Sequence, residues 1–227
     1  MGWIAVRCGA ALGRPWLLGV LVTAVALGLA GGSWTPAGAQ GFELAAEPVS
    51  DAVAARALAE AERYAIVTYR YRGETMTGVA YKWGGRLSVD EYLAAVAQGA
   101  EPGRDVGVDA SAVVVNAYLA ADPDHRFVVE AGGGRRLVAD VTSADLYRWN
   151  IRPVATDELR PGDLIFFQDE RGNVSGVAVF ERREGPNVHF IVASAGQGKV
   201  VRTFLNVNNT YWNTRVKGAG RLLAFSR

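Results

Sequence analysis

The part of the chain after residue 150 is divided into five short apolar runs, and this pattern restricts the fold more than any other feature. The runs cover 163–167, 174–181, 188–193, 200–204 and 219–225. Their length and their content of β-branched and aromatic residues are typical of strands, and turn residues such as Gly172 and Gly185 separate them. We therefore expect an antiparallel sheet of about five strands.

Helix signals lie mainly before these strands. Capping patterns occur at Ser50 with Asp51, at Ser88 with Glu91, at Asp109, and at Thr142 with Asp145. The helix that would follow Asp109, over 110–120, is apolar on most sides and should be buried. Helices first and strands second indicate the α+β class, with N-terminal helices packed on the sheet.

The first 39 residues resemble a secretory signal peptide. Arg7 and Arg14 are positive, no acidic residue is present, an apolar run covers 16–30, and small residues end the segment at Ala39. The apolar run is short for a membrane span, which needs roughly 20 residues. We expect cleavage after Ala39 and export to the periplasm or cell envelope, with membrane attachment only if the segment stays uncleaved.

Charge and cysteine content exclude two classes of protein. The whole chain has 24 basic and 23 acidic residues, so broad phosphate neutralisation of a nucleic acid is not expected. The one cysteine, Cys8, cannot form a disulfide within the chain. Because Cys8 lies in the predicted signal peptide, the exported chain from Gln40 would contain no thiol.

Three motifs occur in a fixed order along the chain: Tyr81-Lys-Trp-Gly-Gly85, Gly107-Val-Asp-Ala-Ser-Ala112 and Leu159-Arg-Pro-Gly-Asp-Leu-Ile-Phe-Phe167. Together with Thr142-Ser-Ala-Asp145, they resemble the NlpC-type cysteine peptidases, papain-like enzymes that hydrolyse cell-wall peptides. The resemblance covers about residues 78–204. Together with the signal peptide predicted over 1–39, it divides the rest of the chain into an N-terminal helical segment over 40–65 and an NlpC-like domain over 66–227. Residues 86–108 form an insertion where the family commonly has a short loop.

The resemblance also identifies three positions that the family's chemistry requires. The nucleophilic cysteine at a helix N-terminus corresponds to Ala110, the histidine base to Gly176, and the polar residue that orients the base to Val192. None of the three residues can perform the matching role. We therefore assign no catalytic residue, and we expect a pseudo-peptidase with no metal and no cofactor.

Tyr81, Trp83, Asp109 and Ser111 match family positions that line the active-site groove. Tyr81 and Trp83, with the glycines that follow them, either form a buried turn or contact a ligand directly. Ser111 is expected to be a helix-cap hydroxyl. A groove of this kind can still bind an extended peptide, so the expected partner is a peptidoglycan peptide or an envelope protein.

Two other hypotheses remain open. The groove could belong to an active hydrolase or acyltransferase with a non-cysteine nucleophile such as Ser111, or with a metal held near Asp122, Asp124 and His125. Alternatively, the domain could be an envelope scaffold that docks through its surface, including the 86–108 insertion. Nucleic acid is not an expected partner in any of these cases.

Overall fold

We describe residues 44–226, apart from the side chains of residues 212 and 213, in a computed structural model; the signal peptide predicted over 1–39 lies outside these residues. The described helices are α1 (Asp51–Ile66), α2 (Val89–Ala97), α3 (Ala110–Ala121), α4 (Ser143–Trp149) and α5 (Thr210–Arg215). Within this part of the chain, no helix has the length and apolar character needed to cross a membrane.

Local capping interactions set the starts of α1 to α4, as the sequence predicts, whereas the sequence patterns do not predict the short helix α5. Ser50 Oγ accepts from the Val53 amide at the start of α1. Complete capping boxes begin α2 at Ser88 and α4 at Thr142, and Asp109 accepts from the Ala112 amide at the start of α3. Each interaction satisfies amide groups that the helix itself leaves unpaired.

Five of the eleven described strands follow the predicted apolar runs closely. The described strands are β1 (Ala45–Pro48), β2 (Thr68–Tyr71), β3 (Glu74–Thr77), β4 (Phe127–Ala131), β5 (Gly134–Val138), β6 (Ile151–Val154), β7 (Leu164–Gln168), β8 (Val174–Glu184), β9 (Asn187–Ser194), β10 (Lys199–Asn206) and β11 (Val216–Ser226). The five predicted strands correspond to β7, β8, β9, β10 and β11. The α+β class and the antiparallel pairing are confirmed.

The main sheet has seven strands where the sequence predicts about five. Its order is β1-β11-β7-β8-β9-β10, and β6 also pairs with β11. The additional strands β1 and β6 are four residues each and both pair antiparallel with β11. They escape sequence detection because they lack an apolar alternation of their own and are defined by pairing with a distant strand. The hairpins β2-β3 and β4-β5 lie outside this sheet.

The main sheet has two apolar faces, because alternate residues of a strand point to opposite sides. On β8, Val177 and Val179 belong to the large core that also contains the buried residues of α1 and α3. Ala178 and Phe180 belong to a smaller cluster with Ile165 of β7. The two faces therefore bury different side chains, and only the first packs against the main helices.

Helix α3 is buried on most sides, as its apolar sequence predicts. It packs with α1, whose residues Ala57, Ala61 and Tyr64 lie in the same core. The N-terminal helical segment predicted over 40–65 therefore shares its core with the rest of the domain. This packing fixes the N-terminus of α3 against the sheet.

The 86–108 insertion contains α2, at the place where its capping box predicts a helix. Tyr92 on α2 is fully buried, and its hydroxyl lies 2.6 Å from the Tyr69 hydroxyl and accepts from the Ala80 amide at 3.2 Å. Asn116 of α3 donates to the carbonyl oxygens of Arg86 and Leu87. The insertion is thus anchored to α3 and to the segment that leads into Tyr81.

Candidate functional site

A groove of about 180 Å³ lies at the N-termini of α3 and α4. Residues from four separate segments line it: Tyr81, Trp83, Arg86, Asp109, Ala110, Ser111, Thr142, Ser143, Ala144, Val174 and Ser175. All four residues that the sequence predicts for the groove, Tyr81, Trp83, Asp109 and Ser111, lie in it. Their contact with a ligand stays a prediction.

The N-terminus of α3 forms one wall of the groove. Asp109 is the N-cap, and its Oδ1 accepts from the Ala112 amide at 2.8 Å. Ala110 is the first residue of the helix, at the position that the family resemblance assigns to a nucleophile. A methyl group therefore stands where helix geometry would favour a thiolate.

Ser111 is buried and fully engaged by two charged neighbours. Its Oγ donates to Asp109 Oδ1 at 2.8 Å and accepts from Arg86 Nη1 at 2.7 Å. The expected role as a hydroxyl at the helix cap agrees with these contacts. The hydroxyl proton points to a carboxylate that also caps the helix.

Arg86 is a groove residue that sequence reasoning missed. Its Nη1 contacts Asp109 Oδ1 at 3.0 Å, its Nε contacts Asp140 Oδ2 at 3.1 Å, and its Nη2 donates to the Val141 carbonyl oxygen at 3.1 Å. The guanidinium thus joins the start of the insertion to α3 and to the segment before α4. No sequence signal identifies it, because its partners are distant in the chain.

Tyr81 contributes a neutral phenol to the groove. Burial raises the pKa of the Tyr81 hydroxyl above its ordinary value, and the nearby Asp109 carboxylate raises it further. The phenol is therefore protonated at neutral pH and can donate or accept a hydrogen bond.

The turn after Tyr81 combines a packed backbone with an exposed tryptophan, and ligand contact by Trp83 stays a prediction. Gly85 is buried, whereas the Trp83 side chain is 82% exposed. Gly85 therefore packs the turn against the domain, whereas Gly84 is exposed and the tryptophan points away from the core.

Gly176 and Val192, the positions that the resemblance assigns to the base and its orienting residue, are not among the residues that line the groove. An ideal Cβ on Gly176 would lie 4.0 Å from Phe167 Cδ2, and Phe167 packs against the smaller apolar cluster. Val192 packs against the same cluster. Both positions therefore face the side of the sheet away from α3.

A bulge explains why the strand residue in the groove is Ser175 rather than Gly176. The pairing of β7 with β8 shifts between Phe167, which pairs with Gly176, and Gln168, which pairs with Val174. The extra residue, Ser175, is exposed and lies in the groove. A residue-by-residue transfer from a sequence motif cannot detect such a shift, because a bulge changes which side chain faces the helix.

The two histidines of the described chain lie outside the groove lining. His125 is buried between the rings of Tyr118 and Phe127, beyond the C-terminal end of α3. His189 contacts Glu184 and the ring of Phe204. Neither imidazole is among the groove-lining residues.

The residues Asp122, Asp124 and His125 do not form a metal site in this arrangement. Asp122 Oδ1 accepts from the Asp124 amide, while the His125 side chain is buried against aromatic rings. Across residues 44–226, no group of three or more potential ligands from His, Cys, Asp and Glu comes together.

Comparison with known proteins decides the family. The family model described as NlpC/P60 matches residues 78–221, which is more than half of the chain. The chain belongs to the NlpC/P60 family. Members of this family act on the cell wall, so the NlpC/P60 domain of this chain is related to cell-wall peptidases.

Other comparisons are weaker. The structure described as "The crystal structure of Ly7917 with the hydrolyzing product of MDP" aligns with a TM-score of 0.38 and 12% sequence identity, over 50% of this chain. The alignment covers 53% of that protein, so this chain matches about half of its length. No curated protein matches the chain. The assignment to the NlpC/P60 family rests on the family model alone.

Proposed function

We propose that this chain is an exported NlpC/P60 pseudo-peptidase, which binds a cell-wall peptide in the groove without cleaving it. The observation that carries the proposal is the arrangement around Ala110. The residue at the nucleophile position is a methyl group, and the adjacent Ser111 hydroxyl is held between Asp109 and Arg86. The carboxylate that accepts from this hydroxyl is also held by the Ala112 amide and the Arg86 guanidinium, so it serves as a helix cap and ion-pair partner rather than as a free base.

The position of the histidines supports the same proposal. In the family's chemistry a histidine acts as the base, and the base must lie within hydrogen-bond reach of the nucleophile, at about 2.6–3.2 Å. The Ser111 hydroxyl has an arginine and an aspartate as its side-chain partners. His125 and His189 lie among aromatic and acidic neighbours outside the groove lining.

Peptide binding remains compatible with the groove. Tyr81, Ser143 and Ser175 supply hydroxyl groups, while Ala110, Ala144 and Val174 supply apolar surface. Hydrogen-bonding groups beside shallow apolar surface suit an extended backbone with small side chains. A peptide of the cell wall, or an exposed segment of an envelope protein, has this chemistry. Export rests on the signal-peptide pattern over 1–39.

The test is to incubate the exported protein with a digested cell-wall preparation, and to record both cleavage and retention by mass spectrometry. We expect retained peptides and no new cleavage products. Ser175→Trp should fill the groove and abolish retention, whereas Asn208→Trp, on an exposed loop outside the groove, should not.

Two other results would replace this proposal. Cleavage that is abolished by Ser111→Ala would show an active hydrolase with a serine nucleophile, and chelator-sensitive cleavage would show a metal-dependent one. Neither cleavage nor retention, together with protein cross-links in cells through the 86–108 insertion, would show an envelope scaffold.

A further inference from the structure

A second pocket, of about 220 Å³, lies on the face of the main sheet that carries the smaller apolar cluster. Six of its lining residues are aliphatic, among them Ile165, Val188 and Leu205, and the seventh is Thr156. An apolar cavity of about 150 Å³ is large enough for a benzene molecule, so this pocket can hold a short apolar chain. The pocket shares no lining residue with the peptide groove.

The pocket lining offers few partners to the polar groups of an inserted polypeptide. Thr156 is the one polar residue of the lining, and its carbonyl oxygen already accepts from Arg183 Nη2 at 2.8 Å. Buried amide groups without partners are costly, whereas a hydrocarbon chain has no polar group to satisfy. The pocket is therefore suited to an acyl chain.

Arg183 places a positive charge beside the pocket. It pairs in register with Val188 of the lining, and its side chain is exposed. The neighbouring carboxylates of Glu181 and Glu184 contact Arg182, and Arg183 forms no ion pair within residues 44–226. Its guanidinium is therefore available to an anionic group next to the pocket.

Two more arginines lie on the same face of the sheet. Ile165 of the lining pairs with Ala219, and Arg221 is two residues further along β11, about 7 Å away at a rise of about 3.4 Å per residue. Arg152 of β6 lies directly opposite Arg221. Because alternate residues of a strand point to the same side, both arginines share the face of the pocket.

The charge of this arginine pair is only partly neutralised. Both Asp163 oxygens accept from Arg221 at 2.9 Å, whereas Arg152 is exposed and forms no ion pair in the described part of the chain. Like charges directly opposite each other on adjacent strands are destabilising, so a bound anion would stabilise this arrangement. The cleft around the pair is lined by Arg160 and Glu158 as well, which gives it three positive groups and one negative group.

We infer that this pocket binds an acyl chain of an anionic lipid, whose phosphate group contacts Arg183 and is attracted by the cleft around Arg152. Arginine forms charge-assisted hydrogen bonds with phosphate oxygens, and basic residues are drawn to anionic membrane surfaces. The segment 154–160 contributes residues to both the apolar pocket and the arginine cleft, so the chain and the head group would meet at one segment. The inference does not depend on peptide binding in the groove.

The test measures the affinity of the exported protein, by calorimetry, for three probes. They are a short-chain phosphatidylglycerol below its micelle concentration, a phosphatidylcholine with the same chains, and glycerol 3-phosphate, which has no chain. We expect the phosphatidylglycerol to bind about tenfold more tightly than either of the others, which corresponds to about 1.4 kcal/mol. Arg183→Gln should reduce its affinity to that of the phosphatidylcholine.

Matched variants separate the pocket from general effects. Thr156→Trp fills the pocket from an exposed position and should abolish lipid binding, whereas Thr75→Trp, exposed on β3 outside the main sheet, should not change it. Arg70→Gln removes another exposed arginine that donates to a backbone carbonyl oxygen, and it should leave all three affinities unchanged. Melting temperatures equal to that of the parent protein show that each variant is folded.

Each outcome gives a decision. Equal affinity for glycerol 3-phosphate and phosphatidylglycerol, unaffected by Thr156→Trp, would show an anion site without an acyl pocket and overturn the inference. Equal affinity for the two lipids would overturn the role of the arginines. If neither lipid binds, the inference is wrong, and retention of cell-wall peptides by the same preparation would leave the proposed function intact.

Discussion

Arg86 Nη1 donates a 2.7 Å hydrogen bond to Ser111 Oγ, and this bond joins the first residue of the 86–108 insertion to the first turn of α3. The same guanidinium contacts Asp109 and Asp140. The insertion is therefore part of the groove wall, not an appendage to the domain. The contact also occupies the serine hydroxyl nearest to Ala110 in the chain.

Arg86→Gln should destabilise the protein. The substitution leaves the partly buried Asp109 carboxylate with fewer partners, and hydrogen bonds to charged groups are typically worth about 1.5–3 kcal/mol. Because Arg86 and Asp140 are partly exposed, solvent screening reduces this value, and we expect a loss of about 1–2 kcal/mol in the free energy of unfolding. Urea denaturation measures the change.

Arg72→Gln is the matched control for Arg86. Its guanidinium is largely exposed and contacts Glu101 at 3.4 Å. Exposed ion pairs contribute about 0–1 kcal/mol, so the control should change stability by less than about 0.5 kcal/mol. Equal effects of the two substitutions would show that the contacts of Arg86 do not stabilise the groove.

Ala110→Cys should create a reactive thiol without creating a peptidase. In a Cys8→Ser background this cysteine is the sole thiol of the chain. The N-terminus of α3 stabilises negative charge, so the pKa of the thiol should lie below the ordinary value of about 8.5. The pH dependence of alkylation by iodoacetamide, followed by mass spectrometry, measures this pKa.

Gln98→Cys is the control for that thiol. Gln98 is exposed at the C-terminal end of α2, where the helix dipole does not favour a thiolate. Its alkylation should therefore require a higher pH. Cell-wall peptide cleavage by Ala110→Cys would contradict the proposal that a groove with no histidine in its lining does not hydrolyse peptides.

Gly85→Ala should destabilise the turn that carries Trp83. The new Cβ would lie 2.3 Å from the backbone oxygen of Gly107, and relief of such overpacking typically costs about 1–3 kcal/mol. Thermal unfolding followed by circular dichroism measures the loss. Gly134→Ala, where nothing lies within 4 Å, should be neutral or slightly stabilising. A neutral Gly85→Ala would mean that the turn adjusts readily.

His125 should make the stability of the protein depend on pH. Burial lowers the pKa of the His125 imidazole, an effect that Asp122 partly opposes. The unfolded chain therefore binds a proton more readily than the folded protein does. The ordinary pKa of a histidine, about 6.5, applies to the unfolded chain. Above this pH the imidazole is neutral in both states and does not affect the free energy of unfolding. Below it the unfolded chain takes up a proton first, so the free energy of unfolding falls.

His125→Leu should remove this part of the pH dependence. Urea denaturation at several pH values between about 7.5 and 5 gives the free energy of unfolding for both proteins. The free energy of unfolding of the parent, minus that of the variant, should decrease as the pH falls. The carboxylates are common to both proteins, so their titration cancels in the difference. A constant difference across this range would contradict the assignment of a buried neutral imidazole.

Local sequence patterns predict the starts of α1 to α4 and the main strands correctly. The capping residues Ser50, Ser88, Asp109 and Thr142 accept hydrogen bonds from amides only three residues ahead. The apolar runs between turn residues become β7 to β11. Such features depend on residues that are neighbours in the chain, so they can be predicted from the sequence.

Pairing between distant segments is what the sequence does not reveal. The short strands β1 and β6 exist because β11 is long enough to pair with them. The bulge opposite Phe167 places Ser175 in the groove, and the motif alignment points to Gly176 instead. A shift of one residue reverses the direction of a strand side chain, so only the paired sheet decides which residue faces α3.

The sequence by itself determined that Ala110 follows a helix-capping Asp109, and that no cysteine lies beyond residue 39. Only the tertiary structure decided the surroundings of that position, where Arg86 holds the Ser111 hydroxyl and Trp83 stands exposed at the groove. The physical reason is the separation of the interacting residues along the chain. A helix cap is satisfied within one helical turn, whereas the groove is assembled from distant segments that only the folded core brings together.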